Sequence, residues 1–247
     1  MSPSSKHALV VGASSGIGLA MAKQMAPLVT KLTLCSRSCP PELISSVKEH
    51  NPNVEVVHER LDMSSPKQTA EGLDDKLATM YYARFMLVHD LLSTLNRPGV
   101  RVLCVLAAGQ ANIAPNLEDL ALKNSYSMNG VAHATVLYLD LMMQAMSQHA
   151  PNATFMHIEP GFVNTNLNEN TWWYIRLPMK LASFLLAESP DKNARGLMQA
   201  FTKEEYSYGW KLLNKRAEEV PKTKFHTDEL KEIVWKHTLQ IIDDVLK

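Results

Sequence analysis

The sequence has few cysteines and no excess of either charge. Its 247 residues include 3 cysteines, and 25 Lys and Arg residues balance 25 Asp and Glu residues. An odd number of cysteines cannot form a fully paired disulfide framework, which argues against a disulfide-rich secreted protein and favours reduced thiols. Because no basic surplus is available to neutralise phosphates, we do not expect nucleic acid to be a partner.

Long hydrophobic runs are missing as well. The first apolar run, residues 8–11, is too short for the core of a signal peptide or for a membrane span, which predicts a cytoplasmic protein. Cys35 and Cys39 have no companion His or Cys pair at ligand spacing, so no metal site is predicted. No linker or repeat divides the chain, and we expect a single domain over residues 1–247.

Short apolar runs alternate with helical patterns along the chain. Strands are predicted at residues 7–11, 31–35, 54–57, 100–106 and 154–158, and helices at 42–50, 73–95, 124–149 and 228–246. A further helix follows the first strand. Successive strand–helix–strand units of this size predict an α/β fold, a Rossmann-type doubly wound parallel sheet with right-handed crossovers.

A glycine-rich segment, GASSGIG at residues 12–18, lies where the first strand ends and a helix begins. Here the backbone can approach a pyrophosphate at the positive end of the helix. A tight turn without a ligand is the alternative. The candidate phosphate-binding residues are Gly12, Ser14, Ser15, Gly16, Ile17 and Gly18.

This segment resembles the Thr-Gly-x-x-x-Gly-x-Gly fingerprint of the short-chain dehydrogenase/reductase family, with Val11 in place of the Thr. Asp62, after the third strand, resembles the acid that contacts adenine in this family. Residues 159–165, EPGFVNT, resemble the Pro-Gly-x-x-x-Thr segment near the nicotinamide. The resemblance therefore implies further cofactor contacts at Pro160, Gly161, Val163 and Thr165.

The end of the second strand bears on the choice of cofactor. Sites for NAD place an acid there to bind the ribose 2′-hydroxyl, whereas sites for NADP supply a cation. This chain has Ser36 followed by Arg37, with no carboxylate next to them in the sequence. A guanidinium suits a 2′-phosphate, so NADP is the predicted cofactor. A solvated surface arginine is the alternative.

The resemblance implies catalysis by a Tyr, a Lys four residues later, a Ser and a relay Asn. Tyr126 is the tyrosine that fits, but Gly130 stands where the Lys is expected. Ala107 and Ala108 stand at the Ser position, and Met80 stands at the Asn position. Without a neighbouring cation, we expect Tyr126 to stay protonated at neutral pH, as a poor base.

A central part of the family's sheet is missing from the sequence. Residues 63–70 separate Asp62 from the long helical pattern, whereas a crossover with its own helix takes at least about 10–12 residues before a strand is added. We expect one of two outcomes. Either strand 100–106 pairs directly with strand 8–11, or a gap remains between them.

Residues 166–226 contain a cluster of aromatic and apolar side chains that includes Trp172 and Trp173. The resemblance implies that this is a lid-like helical segment over a small hydrophobic substrate. Contact with a membrane surface and ordinary packing of a small helical subdomain are the alternatives.

These observations predict an NADP(H)-dependent oxidoreductase that acts on a small hydrophobic carbonyl compound or alcohol. Two alternatives remain open: a catalytically impaired NADP(H)-binding pseudoenzyme, and an incompletely folding product of an altered transcript. A homo-oligomer is compatible with the sequence.

Overall fold

The computed structural model describes residues 6–63, 74–163 and 187–247. These residues fold into two compact units. The first lies within Met1–Asp62 and Pro160–Gln199, and the second lies within Met63–Glu159 and Ala200–Lys247. Helices alternate with parallel strands in the chain, which confirms the predicted α/β fold class.

The first unit contains a parallel sheet in the order β1-β2-β3. Its strands are β1 (His7–Val11), β2 (Lys31–Ser36) and β3 (Glu55–Arg60). Helix α1 (Gly16–Met25) connects β1 to β2 through a short 3₁₀ turn, Ala26–Leu28, and helix α2 (Leu43–Lys48) connects β2 to β3. Apolar side chains of β2 and of both helices are buried between these elements, so this unit has a core of its own.

The second unit begins with a segmented helix. Its parts are α3 (Asp75–Leu77), a π-helix (Ala78–Tyr82), α4 (Ala83–Asp90) and α5 (Leu92–Leu95). The remaining elements are β4 (Arg101–Val105), α6 (Met128–His149), β5 (Thr154–Ile158), β6 (Gly209–Leu213) and α8 (Asp228–Leu246). Helix α7 (Pro190–Thr202) runs from the first unit into the second.

Aromatic rings form much of the core of the second unit. The ring of Tyr81 lies 5.3 Å from that of Tyr138, and the ring of Phe85 lies 4.9 Å from that of Trp235. These residues come from the segmented helix, α6 and α8. The helical spacing of their apolar residues places one face of each helix in this core.

The parallel strands form two separate sheets of three, β1-β2-β3 and β4-β5-β6. In the described ranges, β1 pairs only with β2, and β4 pairs only with β5. No strand is described between β3 and β4, although residues 64–73 lie outside the described part. The direct pairing of β4 with β1, one of the two outcomes expected from the sequence, is not among the described pairings.

Several predicted boundaries differ from the structure, and the third strand ends at Arg60 rather than at residue 57. Helix α6 begins at Met128 rather than at residue 124, because the Ser127 hydroxyl accepts a hydrogen bond from the Gly130 N–H, at 3.0 Å, and caps the helix there. The range 166–226, expected to be a helical lid, contains strand β6, which pairs in parallel with β5. Trp172 and Trp173 lie outside the described residues. Among the described helices, none has the length and apolar character to cross a membrane.

Candidate nucleotide-binding and catalytic sites

The glycine-rich turn between β1 and α1 has the close backbone packing expected of a phosphate-binding turn. Gly12 has φ +77°, in the left-handed region that favours glycine, and its N–H donates to the Cys35 carbonyl at 2.8 Å. A Cβ atom on Gly18 would lie 2.2 Å from the Gly12 carbonyl oxygen. Any larger residue at position 18 would therefore open the turn.

The start of α1 offers backbone donors to a ligand. Ser15 precedes the helix in an extended conformation, its side chain makes no capping hydrogen bond, and the first turn carries no acidic residue. Ser14, Gly16 and Ile17 are partly exposed beside it. The first amides of a helix need an acceptor, and a phosphate fits that need.

Ser36 at the end of β2 is buried and already hydrogen-bonded. Its hydroxyl donates to the Ser38 carbonyl at 2.8 Å, and His58 Nε2 lies 2.9 Å from the same oxygen. A hydroxyl has one proton, so His58 must donate its Nε2–H to Ser36. Ser36 therefore holds the turn around Arg37. Sequence reasoning missed His58, which is 22 residues away along the chain.

Arg37 lies within this turn and has an exposed side chain. Within the described ranges, its guanidinium makes no hydrogen bond or ion pair. No carboxylate lies next to Arg37 along the chain, as the sequence indicates. Across the sheet, however, Glu59 of β3 pairs in register with Cys35, two residues before Arg37. Desolvation and the Glu59 charge raise the pKa of the Cys35 thiol. A carboxylate thus lies one strand away from the candidate cation.

The remaining cofactor candidates also lie in the first unit. Asp62 is exposed just beyond β3. The Pro160 carbonyl accepts a hydrogen bond from Asn193 Nδ2 at 2.6 Å, Gly161 has φ +68°, and Val163 forms a parallel bridge with Glu188. Thr165 lies outside the described residues. The described candidates at the three motifs therefore belong to one compact unit.

Tyr126, the candidate catalytic residue, lies in the second unit, just before α6. Its side chain is 50% exposed, and its hydroxyl donates to Met128 Sδ at 3.3 Å. Desolvation, together with the charge and hydrogen bond of Asp74, raises the pKa of Tyr126. Because Tyr126 lies outside the helix, Gly130 is not one helical turn away on its face.

The other residues of the expected catalytic set are absent from their sequence positions, although Lys76 Nζ lies 2.8 Å from Met128 Sδ, the atom that the Tyr126 hydroxyl also contacts. Met80 lies in the π-helix, and two buried tyrosines, Tyr81 and Tyr82, follow it in the chain. Tyr81 donates to Thr238 Oγ1 at 2.7 Å, since the Thr238 proton is used by the Val234 carbonyl, and burial raises the Tyr81 pKa well above its usual value. The tyrosines next to Met80 are therefore residues of the core.

A buried ionic cluster in the second unit was not predicted from the sequence. Asp140 of α6 accepts hydrogen bonds from His157 Nδ1 at 2.5 Å, from His226 Nε2 at 3.1 Å and from the Gly109 N–H at 3.1 Å. Burial would raise the pKa of Asp140, but the two histidines outweigh it and lower that pKa. The Thr223 N–H donates to His226 Nδ1 at 2.8 Å, which makes the Nε2–H form the tautomer in the fold.

The Asp140 cluster ties the turn after β4 to two other segments. Gly109 follows Ala107 and Ala108, where the resemblance places a catalytic Ser, and His226 belongs to the loop before α8. His157 Nε2 is buried without a partner among the described residues. The cluster positions the end of β4, although no hydroxyl is present there to contact a substrate.

Comparisons with known proteins agree with this architecture. The family described as short chain dehydrogenase matches residues 6–81. The human protein named polyprenol dehydrogenase is 23% identical over 277 aligned positions, which cover 95% of this chain and 84% of the relative. The alignment is 30 positions longer than the whole chain, so the relative has residues that this chain lacks.

Solved structures share the fold at low sequence identity. L-sorbose reductase from Gluconobacter frateurii, solved with NADPH and L-sorbose, has a TM-score of 0.58 at 17% identity, covering 87% of this chain and 97% of that one. An NADPH-bound short chain oxidoreductase from Pseudomonas aeruginosa PAO1, described as containing an atypical catalytic center, has a TM-score of 0.56 at 16% identity, covering 84% and 94%. The chain is thus similar to the short-chain dehydrogenase/reductase family, in sequence over residues 6–81 and in fold over most of its length.

Proposed function

We propose that the chain binds NADP(H) through its first unit, with the pyrophosphate at the start of α1 and the 2′-phosphate at Arg37. The observation that carries this proposal is the end of β2, where an exposed arginine lies within a turn held by Ser36 and His58. A guanidinium in this place suits a phosphate ester better than a ribose hydroxyl. The NADPH-bound relatives support a nicotinamide cofactor.

We further propose that the protein is an oxidoreductase for a hydrophobic carbonyl compound or alcohol. The name of the human relative, polyprenol dehydrogenase, supports a substrate of this kind. Bound NADPH supplies a hydride, and Tyr126 would donate the proton to the reduced oxygen. With its raised pKa, Tyr126 holds that proton at neutral pH, which suits reduction better than oxidation.

A catalytically impaired NADP(H)-binding protein is the second candidate. It is favoured by Gly130 at the Lys position, by Ala107 and Ala108 at the Ser position, and by the exposure of Tyr126. In this case the cofactor binds and no substrate is turned over.

Titration of NADPH and NADH fluorescence with the purified chain tests the proposal. We expect tighter binding of NADPH, and we expect Arg37→Ala to weaken NADPH by about 10- to 150-fold, the value of a charge-assisted bond of about 1.5–3 kcal/mol, while leaving NADH nearly unchanged. Lys48→Ala is the matched control, because Lys48 is an exposed cation in the last turn of α2, near the amino ends of the strands. Equal weakening of both cofactors by Arg37→Ala would contradict the proposal.

A further inference from the structure

We propose that Arg60 is a second cation for the 2′-phosphate of NADP(H), acting together with Arg37. This inference rests on the proposed function and adds a specificity-determining residue to it. Arg60 is the last residue of β3, and nothing in the local sequence around the glycine-rich turn or the end of β2 points to it.

The strand register brings Arg60 to the predicted phosphate position. Arg60 of β3 pairs directly with Ser36 of β2, the residue before Arg37. Neighbouring strands lie about 4.8 Å apart, so the two arginines emerge from adjacent points on the carboxyl edge of the sheet. The Leu61 N–H donates to the Ser36 carbonyl at 3.1 Å, which extends the pairing beyond Arg60 and holds its backbone in place.

Both arginines are available to a ligand. Arg60, like Arg37, is exposed. Over the ranges that the structure describes, the Arg60 guanidinium makes no hydrogen bond or ion pair. Two guanidinium groups with unused donors, on neighbouring strands, suit a doubly charged phosphate that accepts several hydrogen bonds.

The alternation of side chains along β3 separates the arginine from its acidic neighbour. Residues that pair in register on parallel strands point to the same face, and successive residues point to opposite faces. Arg60 therefore shares the face of Ser36, whereas Glu59 shares the face of Cys35. His58, on the face of Arg60, donates to Ser36 and fixes the turn from which Arg37 extends. Within β3, the face of Ser36 therefore carries His58 and Arg60 and no carboxylate, and the acidic Asp62 lies beyond the end of the strand.

The test compares Arg60→Ala, Arg37→Ala, the double variant and Lys48→Ala in fluorescence titrations with NADPH and NADH. We expect Arg60→Ala to weaken NADPH by about tenfold or more, as for loss of a hydrogen bond to a charged group, and to leave NADH within about twofold. Adenosine 2′,5′-bisphosphate should compete less well with each arginine variant than with the wild type, and adenosine 5′-monophosphate should compete equally. Circular dichroism spectra check that the variants are folded.

The outcomes separate this inference from the proposed function. If Arg37→Ala loses NADPH affinity while Arg60→Ala matches Lys48→Ala, Arg60 is a solvated surface arginine and this inference alone is overturned. Equal weakening of NADPH and NADH by Arg60→Ala also overturns it, since the residue would then act on the whole site. A wild-type chain that binds neither cofactor overturns both proposals.

Discussion

Asp140 on helix α6 and His157 on strand β5 are joined by a hydrogen bond of 2.5 Å, and both side chains are fully buried. The other Asp140 oxygen accepts from His226. A buried carboxylate is stable only where such donors replace water. The cluster therefore makes the packing of α6 on the second sheet depend on one acidic residue.

Asp140→Ala should destabilise the protein by about 3 kcal/mol or more, because each buried hydrogen-bond donor left without an acceptor costs about 1–3 kcal/mol. Both imidazoles and the Gly109 N–H would lose their acceptor. Urea unfolding at neutral pH measures the change in the free energy of unfolding. Asp243→Ala, at an exposed position on α8, is the control and should change that free energy by less than about 0.5 kcal/mol. Equal effects of the two substitutions would show that the cluster contributes little.

Asp119 fixes the loop that precedes Tyr126. Its carboxylate accepts hydrogen bonds from the backbone N–H groups of Lys123, Asn124 and Ser125 and from the Ser125 hydroxyl. Burial would raise the pKa of Asp119, but these donors outweigh it and lower that pKa. The loop is therefore more stable when Asp119 is ionised.

Asp119→Asn should lower stability at neutral pH by about 1.5–3 kcal/mol, the value of hydrogen bonds to a charged group. Because the folded pKa is below the unfolded value of about 3.9, the carboxylate stabilises the fold fully above that value, and this contribution is lost as pH falls through the folded pKa. Urea midpoints of the wild type and the variant, measured from pH 7 down to pH 3, should differ most above about pH 3.9 and draw closer below it. A constant difference across this range would argue against ionisation of Asp119 as the cause.

Reduction of a carbonyl substrate should be slow, and oxidation of the alcohol slower still. Tyr126 has no neighbouring cation at Gly130, and losing a positioned general acid or base typically lowers the rate by about 10²–10⁴-fold. Assays of NADPH oxidation and NADP reduction with hydrophobic carbonyls and alcohols measure both directions. Rapid turnover that Tyr126→Phe abolishes would mean that another residue supports Tyr126, and the impaired-enzyme alternative would then be wrong.

Gly18→Ala should abolish NADPH binding, because the added Cβ would collide with the Gly12 carbonyl oxygen and displace the start of α1. Lys23→Ala, in the last turn of the same helix, is the control for changes in helix stability. Fluorescence titration and circular dichroism give affinity and folding separately. Wild-type affinity in a folded Gly18→Ala protein would show that the pyrophosphate does not lie at this turn.

Thermal stability should be low, and NADPH should raise the unfolding midpoint little. Strands β1 and β4 each pair on one side only within the described ranges, and exposed strand edges favour aggregation. The described cofactor candidates lie in the first unit, so we expect bound NADPH to stabilise that unit more than the second. Thermal unfolding and hydrogen exchange, with and without saturating NADPH, measure both effects. A sharp transition well above the range of ordinary mesophilic proteins, with a large upward shift on adding NADPH, would contradict this expectation.

The sequence by itself determined the local elements and their order. Strand β5 and helix α8 begin and end at the predicted residues, because apolar periodicity and the Asp228–Glu229 start of the helix are local signals. The glycine-rich turn was predictable for the same reason: its strand, its glycines and its helix are consecutive. The sequence also predicts a missing strand segment, since a stretch of eight residues is too short for a crossover helix followed by a strand.

Tertiary structure alone decided which distant residues meet. The hydrogen bond of Ser36 to His58, the pairing of Arg60 with Ser36 and the place of Glu59 beside Cys35 depend on the register of β3 against β2. A shift of one residue in that register would reverse which face each side chain occupies. The Asp140 cluster likewise joins residues 17 and 86 positions apart in the chain. Such neighbours are selected by packing and by the need to pair buried polar groups, and these are properties of the folded chain rather than of any local pattern.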